Sequence, residues 1–213
     1  MNYLAINTAV GAEILLKGGH YFAFEKKNAA GAMLLPAVRD LLNGAGMTLK
    51  DVIVFACVLG PGSFTGIRIG VSTVRALAYA LSKPVVSLTY FDILAYNSIA
   101  AFRDEPFTAA VDGGGGVAYI KNFDGENRLP FAVKMEDMLK HSHKNIVIDF
   151  FFSYDVSGGA EHGLNIIRAA RNGKDALASV VEREIARNNF ISYNDMMPLY
   201  LRRSQPEREA GEV

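Results

Sequence analysis

The sequence predicts an α/β protein of two lobes, each built on a mixed β-sheet flanked by helices. Three candidate strands open the chain and are followed by alternating helices and strands, the order expected of a mixed sheet with helices on its faces. The second half repeats this order in reduced form. Half of the 213 residues are apolar, so the chain can bury a sizeable core without disulfides or metals.

The elements of the first half follow from glycine spacing and apolar periodicity. Glycines separate the first three strands, as in an antiparallel meander. Apolar residues recur at helical spacing over 65–81, and Pro36 is expected in or near the first turn of its helix, or to kink it. The segment 52–59 is apolar on both faces, which predicts a central strand with parallel neighbours. The predicted strands are 3–9, 12–17, 21–25, 52–59 and 84–88, and the predicted helices are 30–43, 65–81 and 90–102.

The second half supplies a second lobe. A glycine turn at 113–116 separates its first two strands. We expect the lobes to meet near 103–106, which divides the chain into an N-terminal lobe at 1–104 and a smaller lobe at 105–213, whose final segment is a candidate to return to the first. The predicted strands are 107–112, 117–123, 129–133 and 145–151, the predicted helices are 135–141, 159–171 and 175–187, and an extended piece is expected at 199–202.

The balanced charge of the chain argues against one class of function. Its 22 basic residues equal its 22 acidic residues, and the sequence pI is near 6.9. A domain that grips nucleic acid by bulk electrostatics carries a basic patch or stripe. Any role on RNA is therefore expected to be shared with a partner.

Neither a membrane span nor a secretory signal is expected. No run approaches the roughly 18 apolar residues of a membrane span, and Glu13 and Lys17 interrupt the apolar residues near the N-terminus. The single cysteine, Cys57, lies in an apolar run and is expected to be a small buried hydrophobe. We therefore predict a cytoplasmic protein.

The most distinctive segment is LGPGSFTGIRIG, residues 59–70, between a buried strand and a long helix. Such a turn leaves backbone N–H groups beside the positive end of a helix dipole, so it is an anion site in principle. It lacks the lysine of a Walker A loop and the last glycine of a dinucleotide fingerprint. The alternative is a tight turn in which Ser63 or Thr65 caps the helix and Arg68 faces solvent. The candidate residues near an anion or nucleotide are Gly60, Gly62, Ser63 and Thr65.

A stripe of small residues marks the helix that follows this loop. Its members recur at helical spacing and would let another backbone approach closely. If the apolar stripe of the same helix covers the sheet, the small residues are left to pack either on the neighbouring helix 30–43 or on another protein. The stripe consists of Gly66, Gly70, Thr73, Leu77 and Ala80.

Catalytic groups are weakly represented. The four histidines, at 20, 141, 143 and 162, include no pair at the i, i+4 spacing of a zinc site. Asn7 ends the first strand with an amide, where an ATPase of actin type needs a carboxylate. Asp112 precedes four glycines, which fits either a phosphate-binding loop or an Asp-Gly hairpin turn. We predict no catalytic residue and no metal site.

The loop-and-helix segment 60–70, together with Ala76-Leu-Ala78, resembles the signature of the TsaB (YeaZ-type) family. The resemblance extends to 4–8, 34–36, 84–86 and the tail segment Pro198-Leu-Tyr-Leu-Arg202. It implies an actin-like/RNase H-like (ASKHA) fold of two lobes. It also implies a non-catalytic subunit of the bacterial machinery that makes N6-threonylcarbamoyladenosine at position 37 of tRNA.

The same resemblance implies a set of partners. TsaD, the catalytic paralogue, would bind directly through the helices of the N-terminal lobe, the ATPase TsaE would join the complex, and tRNA would be reached only through it. A homodimer is implied for the isolated chain, without contact to membranes. No tightly bound cofactor is expected, and ATP or ADP would bind at the interface of the complex. The implied partner-binding residues are Leu34, Leu35, Val38, Gly66, Arg68, Gly70, Thr73 and Leu77.

Three positions depart from the family pattern, and other functions stay open. Asn7 stands where Asp is typical, Ala30-Gly31-Ala32 where a His-Ser-Glu-like stretch opens the first helix, and Gly113–Gly116 where Ala-Arg-Arg-Gly is expected. One alternative is an actin-like ATPase or small-molecule kinase whose phosphate loops are residues 7–8 and 112–116. A metallopeptidase would need a histidine pair that the sequence does not offer, and a structural homodimer is a third alternative.

Overall fold

A computed structural model describes residues 1–24, 30–156, 159, 163–170 and 173–202. The first of its two sheets is built from strands between residues 3 and 88. The strands of this sheet are β1 (Tyr3–Asn7), β2 (Glu13–Leu16), β3 (His20–Ala23), β4 (Val54–Val58) and β5 (Val85–Leu88). Their order is β3-β2-β1-β4-β5, in which β1 to β3 form an antiparallel meander and β4 and β5 continue parallel to β1. The strand predicted as central, 52–59, is therefore an internal parallel strand, while β1 occupies the middle of the sheet.

The second sheet repeats the topology of the first. Its strands are β6 (Phe107–Asp112), β7 (Val117–Phe123), β8 (Phe131–Lys134), β9 (Asn145–Ile148) and β10 (Asn165–Arg168). Their order is β10-β9-β6-β7-β8, with β6 to β8 antiparallel and β9 and β10 parallel to β6. Each sheet thus places its first strand in the middle, a meander on one side and two parallel strands on the other. The predicted α/β fold with two mixed sheets is confirmed.

The predicted helix at 159–171 is wrong. Its residues 165–168 form β10, which pairs in parallel with β9, while 160–162 and 171 lie outside the described residues. Two adjacent β-branched residues, Ile166 and Ile167, favour a strand, and Gly163, with a φ of +70°, interrupts any helix before them. Smaller differences are a 3₁₀-helix at Met135–His141, where a helix was expected, and a β8 that begins two residues later than predicted.

Within the described residues, four α-helices cover the sheets, and the first lobe has helices on both faces. They are α1 (Ala30–Gly44), α2 (Phe64–Leu81), α3 (Tyr90–Phe102) and α4 (Lys174–Ala186). Side chains alternate between the faces of a strand, and the two faces of β1 meet different helices. The Thr8 hydroxyl donates to the Gly66 carbonyl of α2 at 2.7 Å, whereas the Tyr3 hydroxyl donates to Glu182 of α4 at 3.2 Å. Pro36 lies inside α1, beyond its first turn.

Helices α3 and α4 pack on each other between the sheets. α3 contacts β6 and β9 of the second sheet, although it follows β5 in sequence, and α4 returns from β10 to contact β2 and β5 of the first. One buried apolar cluster therefore extends from Phe55 and Phe91 of the first lobe to Val111 and Val147 of the second. No α-helix in the part of the chain that the structure describes is both long and apolar enough to cross a lipid bilayer.

The expected burial of Cys57 is confirmed, and it predicts an inert thiol. Cys57 lies on β4 with 1% of its surface exposed, and burial raises the pKa of its thiol to about 12. Because the thiolate is the reactive form, we expect a disulfide reagent at pH 8 to leave the native protein unmodified and to titrate one thiol after denaturation. Rapid modification of the native protein would show that β4 opens readily.

Candidate functional site: the cleft between the lobes and the outer face of α1 and α2

An open cleft of about 1810 Å³ lies between the two lobes. The turn after β1 and the start of α2 form its wall on the first lobe, and the glycine turn between β6 and β7 lines the opposite side together with Tyr119 and Lys134. Residues 199–202 also line the cleft. The two turns occupy equivalent positions in the repeated topology, and Thr8 of the segment 7–8 lines the same cleft as residues 112–116, whereas Asn7 is buried.

The loop before α2 is a tight turn with a helix cap. Gly60 and Gly62 have φ angles of +128° and +152°, and a Cβ atom on Gly62 would lie 2.1 Å from the Ala9 carbonyl oxygen. Ser63 is the N-cap, since its hydroxyl accepts a hydrogen bond from the Gly66 N–H at 3.2 Å. The Ser63 N–H itself donates to the Ala9 carbonyl at 2.7 Å. The turn-and-cap interpretation is therefore confirmed for Ser63, and Thr65 is exposed on the first turn of α2.

The small-residue stripe left Gly66 and Gly70 either for the neighbouring helix or for another protein, whereas the structure packs them against Thr8 at the end of β1. A Cβ atom on Gly66 would lie 2.0 Å from the Thr8 carbonyl oxygen, and one on Gly70 would lie 2.2 Å from the Thr8 hydroxyl oxygen. These glycines let α2 close onto the end of β1, where the Thr8 hydroxyl binds the helix backbone. They therefore serve the packing of the first lobe.

Two of the predicted partner-binding residues on α1 also belong to the core. Leu34 and Val38 are each 2% exposed, because they lie on the face of α1 that packs against the sheet. Leu35, by contrast, is 56% exposed. Of the residues predicted on α2, Arg68 is exposed, and Thr73 and Leu77 are half-buried.

The outer face of α1 and α2 carries large apolar side chains that the sequence had not singled out. Met33, two residues before Leu35 on α1, is 51% exposed, and Tyr79 on α2 is 69% exposed. Ala76 and Ala80 are also exposed on α2, at helical spacing from each other, and the Tyr79 ring packs edge-on against Tyr193 with ring centres 5.5 Å apart. We refer to Met33, Leu35, Ala76, Tyr79 and Ala80 as the outer face. The sequence could have indicated these residues, because they are the apolar residues of each helix that do not belong to the stripe facing the core.

Arg68 is held at the mouth of the cleft by two aromatic rings. Its guanidinium lies 4.1 Å from the centre of the Phe64 ring, and its Nε donates to the Tyr200 hydroxyl at 3.3 Å. The Tyr200 and Phe64 rings are stacked, with centres 4.5 Å apart. A cation–π contact and a stack thus join the first turn of α2 to the C-terminal segment.

Asn7 belongs to a buried hydrogen-bond network centred on Glu13. The Asn7 amide donates to Glu13 Oε2 at 3.1 Å, and its Oδ1 accepts from the Ala9 N–H at 3.1 Å. Glu13 Oε1 accepts from the Tyr21 hydroxyl at 2.9 Å and from the Gly173 N–H at 3.0 Å, just before α4. Burial, reinforced by the Glu13 charge, raises the pKa of Tyr21, which therefore stays a donor. The network fixes β1, β2 and the start of α4 together.

Three carboxylates of the second lobe line the cleft, and two of them, Asp112 and Asp149, accept hydrogen bonds from the backbone of their own lobe, whereas Glu136 is exposed. Asp112 accepts hydrogen bonds from the N–H groups of Gly114 at 2.7 Å and Ser153 at 3.1 Å. Asp149 accepts from the Asp112 N–H at 2.8 Å and from the Phe151 N–H at 2.7 Å, and burial raises its pKa. The Gly113 N–H closes the turn onto the Val117 carbonyl at 2.9 Å, which confirms the hairpin interpretation of this segment.

No three metal-ligating side chains of the His, Cys, Asp or Glu type come together within the described ranges. His20, His141 and His143 lie within those ranges, while His162 falls in the gap at 160–162.

The repeated sheets and the cleft between them define the class of protein, an actin-like (ASKHA) α/β protein of two lobes. The solved structure titled "YeaZ from Pseudomonas aeruginosa" has the same fold, with a TM-score of 0.73 at 23% identity. That match covers 94% of this chain and 99% of the other.

The family follows from sequence comparison. The model of the family described as "TsaD: tRNA N6-adenosine threonylcarbamoyltransferase" matches residues 29–151, more than half of the chain, and the chain belongs to this family. The TsaB protein of Bacillus subtilis is 35% identical over 103 residues, which are 46% of this chain and 44% of the relative. The TsaB protein of Escherichia coli is 31% identical over 108 residues, 50% of this chain and 47% of the relative. The resemblance to TsaB is confirmed, and the matched segments span about half the length of these curated relatives.

Proposed function

We propose that this chain is a non-catalytic subunit in the synthesis of N6-threonylcarbamoyladenosine at position 37 of tRNA, and that it binds and supports TsaD. Relatives named as tRNA threonylcarbamoyladenosine biosynthesis proteins support the pathway. The observation that carries the binding role is the outer face of α1 and α2, where Met33, Leu35 and Tyr79 are each more than half exposed.

The outer face has the properties of a protein interface. Large apolar side chains and a tyrosine that reach solvent from packed helices are the groups that anchor interfaces when a partner covers them. Helices α1 and α2 pack side by side, and α2 alone has 18 residues. Two adjacent helices of this length can supply the roughly 800 Å² per partner of an ordinary interface. TsaD is the direct partner in this proposal, TsaE and tRNA join through the complex, and the isolated chain pairs with itself through the same face.

The contacts of the cleft support a role without catalysis. Asn7 contributes an amide that is bound to Glu13 and Ala9, and the carboxylates of Asp112 and Asp149 accept hydrogen bonds from their own backbone. An ATPase or kinase needs a carboxylate directed at magnesium or water. In the proposal no cofactor is tightly bound, and ATP or ADP binds at the interface of the assembled complex. Isothermal titration of the isolated chain with ATP and magnesium tests this, since tight binding with turnover would favour the ATPase alternative.

We expect the substitution Leu35→Glu to abolish co-purification with TsaD while leaving the fold intact. The side chain is exposed, so a charge costs little in the free protein, but burying it in an apolar interface leaves it without a partner. The measurement is a pull-down with tagged TsaD, with circular dichroism to check the fold.

Leu129→Glu is the matched control, because Leu129 is 82% exposed on the second lobe. It introduces the same charge at a comparably exposed leucine and should leave TsaD binding unchanged. Equal binding by wild type and both variants would place the interface elsewhere, and equal loss in both would show a general effect of charge.

A further inference from the structure

The C-terminal segment 191–202, which we call the strap, runs along the first lobe. Ile191 exchanges two backbone hydrogen bonds with Val85 at the edge of the first sheet, at 2.8 and 3.1 Å. Farther along, Arg75 of α2 donates to the Met196 carbonyl, and the Met196 side chain is fully buried. The Leu199 N–H then donates to the Leu59 carbonyl at 2.8 Å. The strap is thus fixed to the first lobe from its start to the loop before α2.

Close packing at Gly60 and an aromatic stack fix the last part of the strap. A Cβ atom on Gly60 would lie 2.7 Å from the Leu199 carbonyl oxygen, so only glycine lets the strap approach this closely. One residue later, Tyr200 stacks on Phe64 and accepts a hydrogen bond from Arg68. The first lobe therefore holds the strap up to the mouth of the cleft.

The next contact of the strap is with the other lobe. Arg202 extends across the cleft, and its Nη2 donates to the Gly113 carbonyl of the glycine turn at 2.8 Å. A Cβ atom added at Gly115 would lie 3.8 Å from Nη2 of the same guanidinium, so the arginine also lies close to the next part of the turn. A hydrogen bond from a charged donor to a carbonyl is stronger than one between neutral groups.

We propose that the strap is a latch that sets the opening of the cleft, with Tyr200 as its anchor on the first lobe and Arg202 as its catch on the second. The lobes share a core through α3 and α4, and the chain crosses between them before β6 and after β10. Arg202 contacts the second lobe at Gly113, directly after the C-terminal end of β6, whereas the chain enters this lobe at the N-terminal end of β6. The chain leaves the lobe after β10, which lies two strands away from β6 in the sheet. Release of Arg202 would therefore let the glycine turn move away from α2 while the shared core stays packed. This inference does not depend on the proposed function.

The opening can be measured as a distance between spin labels at Thr65→Cys and Glu136→Cys. Both residues are exposed and line opposite walls of the cleft, and the buried Cys57 stays unlabelled. In this background we expect Arg202→Ala to lengthen and broaden the distance distribution. Hydrogen exchange of the turn amides, including Gly113, should become about 10-fold faster, the change expected for one lost charged hydrogen bond.

Two further variants decide between a latch and a local contact. Tyr200→Ala removes the anchor and should widen the cleft as Arg202→Ala does. Arg128→Ala, the control, removes an exposed arginine of the second lobe that pairs with Asp124 at the surface, and it should leave the distance unchanged. The latch is overturned if Arg202→Ala keeps the wild-type distribution, if only Tyr200→Ala widens it, or if Arg128→Ala widens it equally.

Discussion

Replacing Gly66 with alanine is expected to lower the free energy of unfolding by about 3 kcal/mol, the upper end of the usual cost of overpacking. The added Cβ would lie 2.0 Å from the Thr8 carbonyl oxygen, a backbone atom that no side-chain rotation can move. Helix α2 would have to shift away from β1, and the hydrogen bond from the Thr8 hydroxyl to the Gly66 carbonyl would be lost. Urea unfolding followed by circular dichroism measures the change.

Gly44→Ala is the control for this prediction. Gly44 is the last residue of α1, and a Cβ atom there would meet nothing within 4 Å. Alanine has the higher helix propensity, so this variant should be as stable as wild type or slightly more stable. Wild-type stability of Gly66→Ala would mean that α2 does not close onto β1 as the structure shows.

The second large effect is expected for Asn7→Asp, which introduces a carboxylate at the end of β1. The new carboxylate would face Glu13, its partner across the antiparallel pair, at a position that is fully buried. Two carboxylates in contact cannot both ionise cheaply, so we expect a loss of about 3 to 5 kcal/mol at pH 8, the range for an uncompensated buried charge.

The loss should depend on pH with a definite sign. Mutual repulsion raises the pKa of the carboxylate pair above its value in the unfolded chain. The folded variant then holds a proton that the unfolded chain releases, so its stability relative to wild type is highest below the unfolded pKa and falls as pH rises through the folded one. Urea midpoints at pH 5 and pH 8 measure this, and an equal deficit at both would contradict the explanation.

A second substitution should rescue the first. In Asn7→Asp combined with Glu13→Gln, the new amide can donate to the new carboxylate, and its oxygen can still accept from Tyr21 and Gly173. This reverses the polarity of the hydrogen bond now made by Asn7 and Glu13. We expect the double variant to recover most of the stability at pH 8. Failure of the rescue would show that Glu13 is needed as a carboxylate for another reason.

Much of the fold could be predicted from periodicity. The apolar stripe of α2 gave the helix to within one residue, and the strands at 107–112 and 117–123 have the predicted bounds. The helix predicted at 159–171 was wrong because a few apolar residues between glycines fit both the 3.6-residue period of a helix and the two-residue period of a strand over so short a segment. The repeat could have indicated the strand at 165–168, because the first lobe has five strands whereas only four were predicted in the sheet of the second lobe.

The outward surface was harder to predict, for two physical reasons. Leu34 and Val38 define the apolar period of α1, and the residues that produce a helical period are the ones that the core buries. Gly66 and Gly70 permit a close approach of backbones, but small residues serve contacts within a chain and between chains equally well. The contact of α2 with Thr8 shows that these glycines serve packing within the chain. The local sequence pattern does not predict this position of the helix.

The buried contacts of Glu13 and the strap were also missed, because both join residues distant in sequence. Glu13 accepts from Gly173, and Arg202 reaches Gly113. The tail resemblance at 198–202 was the available signal, although it could not tell what the tail touches.

The return of α4 to the first lobe has a consequence for synthesis on the ribosome. The first sheet and α3 are complete at Phe102, whereas α4, whose Glu182 binds Tyr3 and Lys17, ends at Ala186. At translation speeds of about 5 to 20 residues per second, the face of the nascent sheet that α4 will cover stays open for on the order of ten seconds. An apolar surface exposed for that time invites aggregation or capture by a chaperone, so slower or faster translation of residues 103–186 should alter the yield of folded protein without altering its structure.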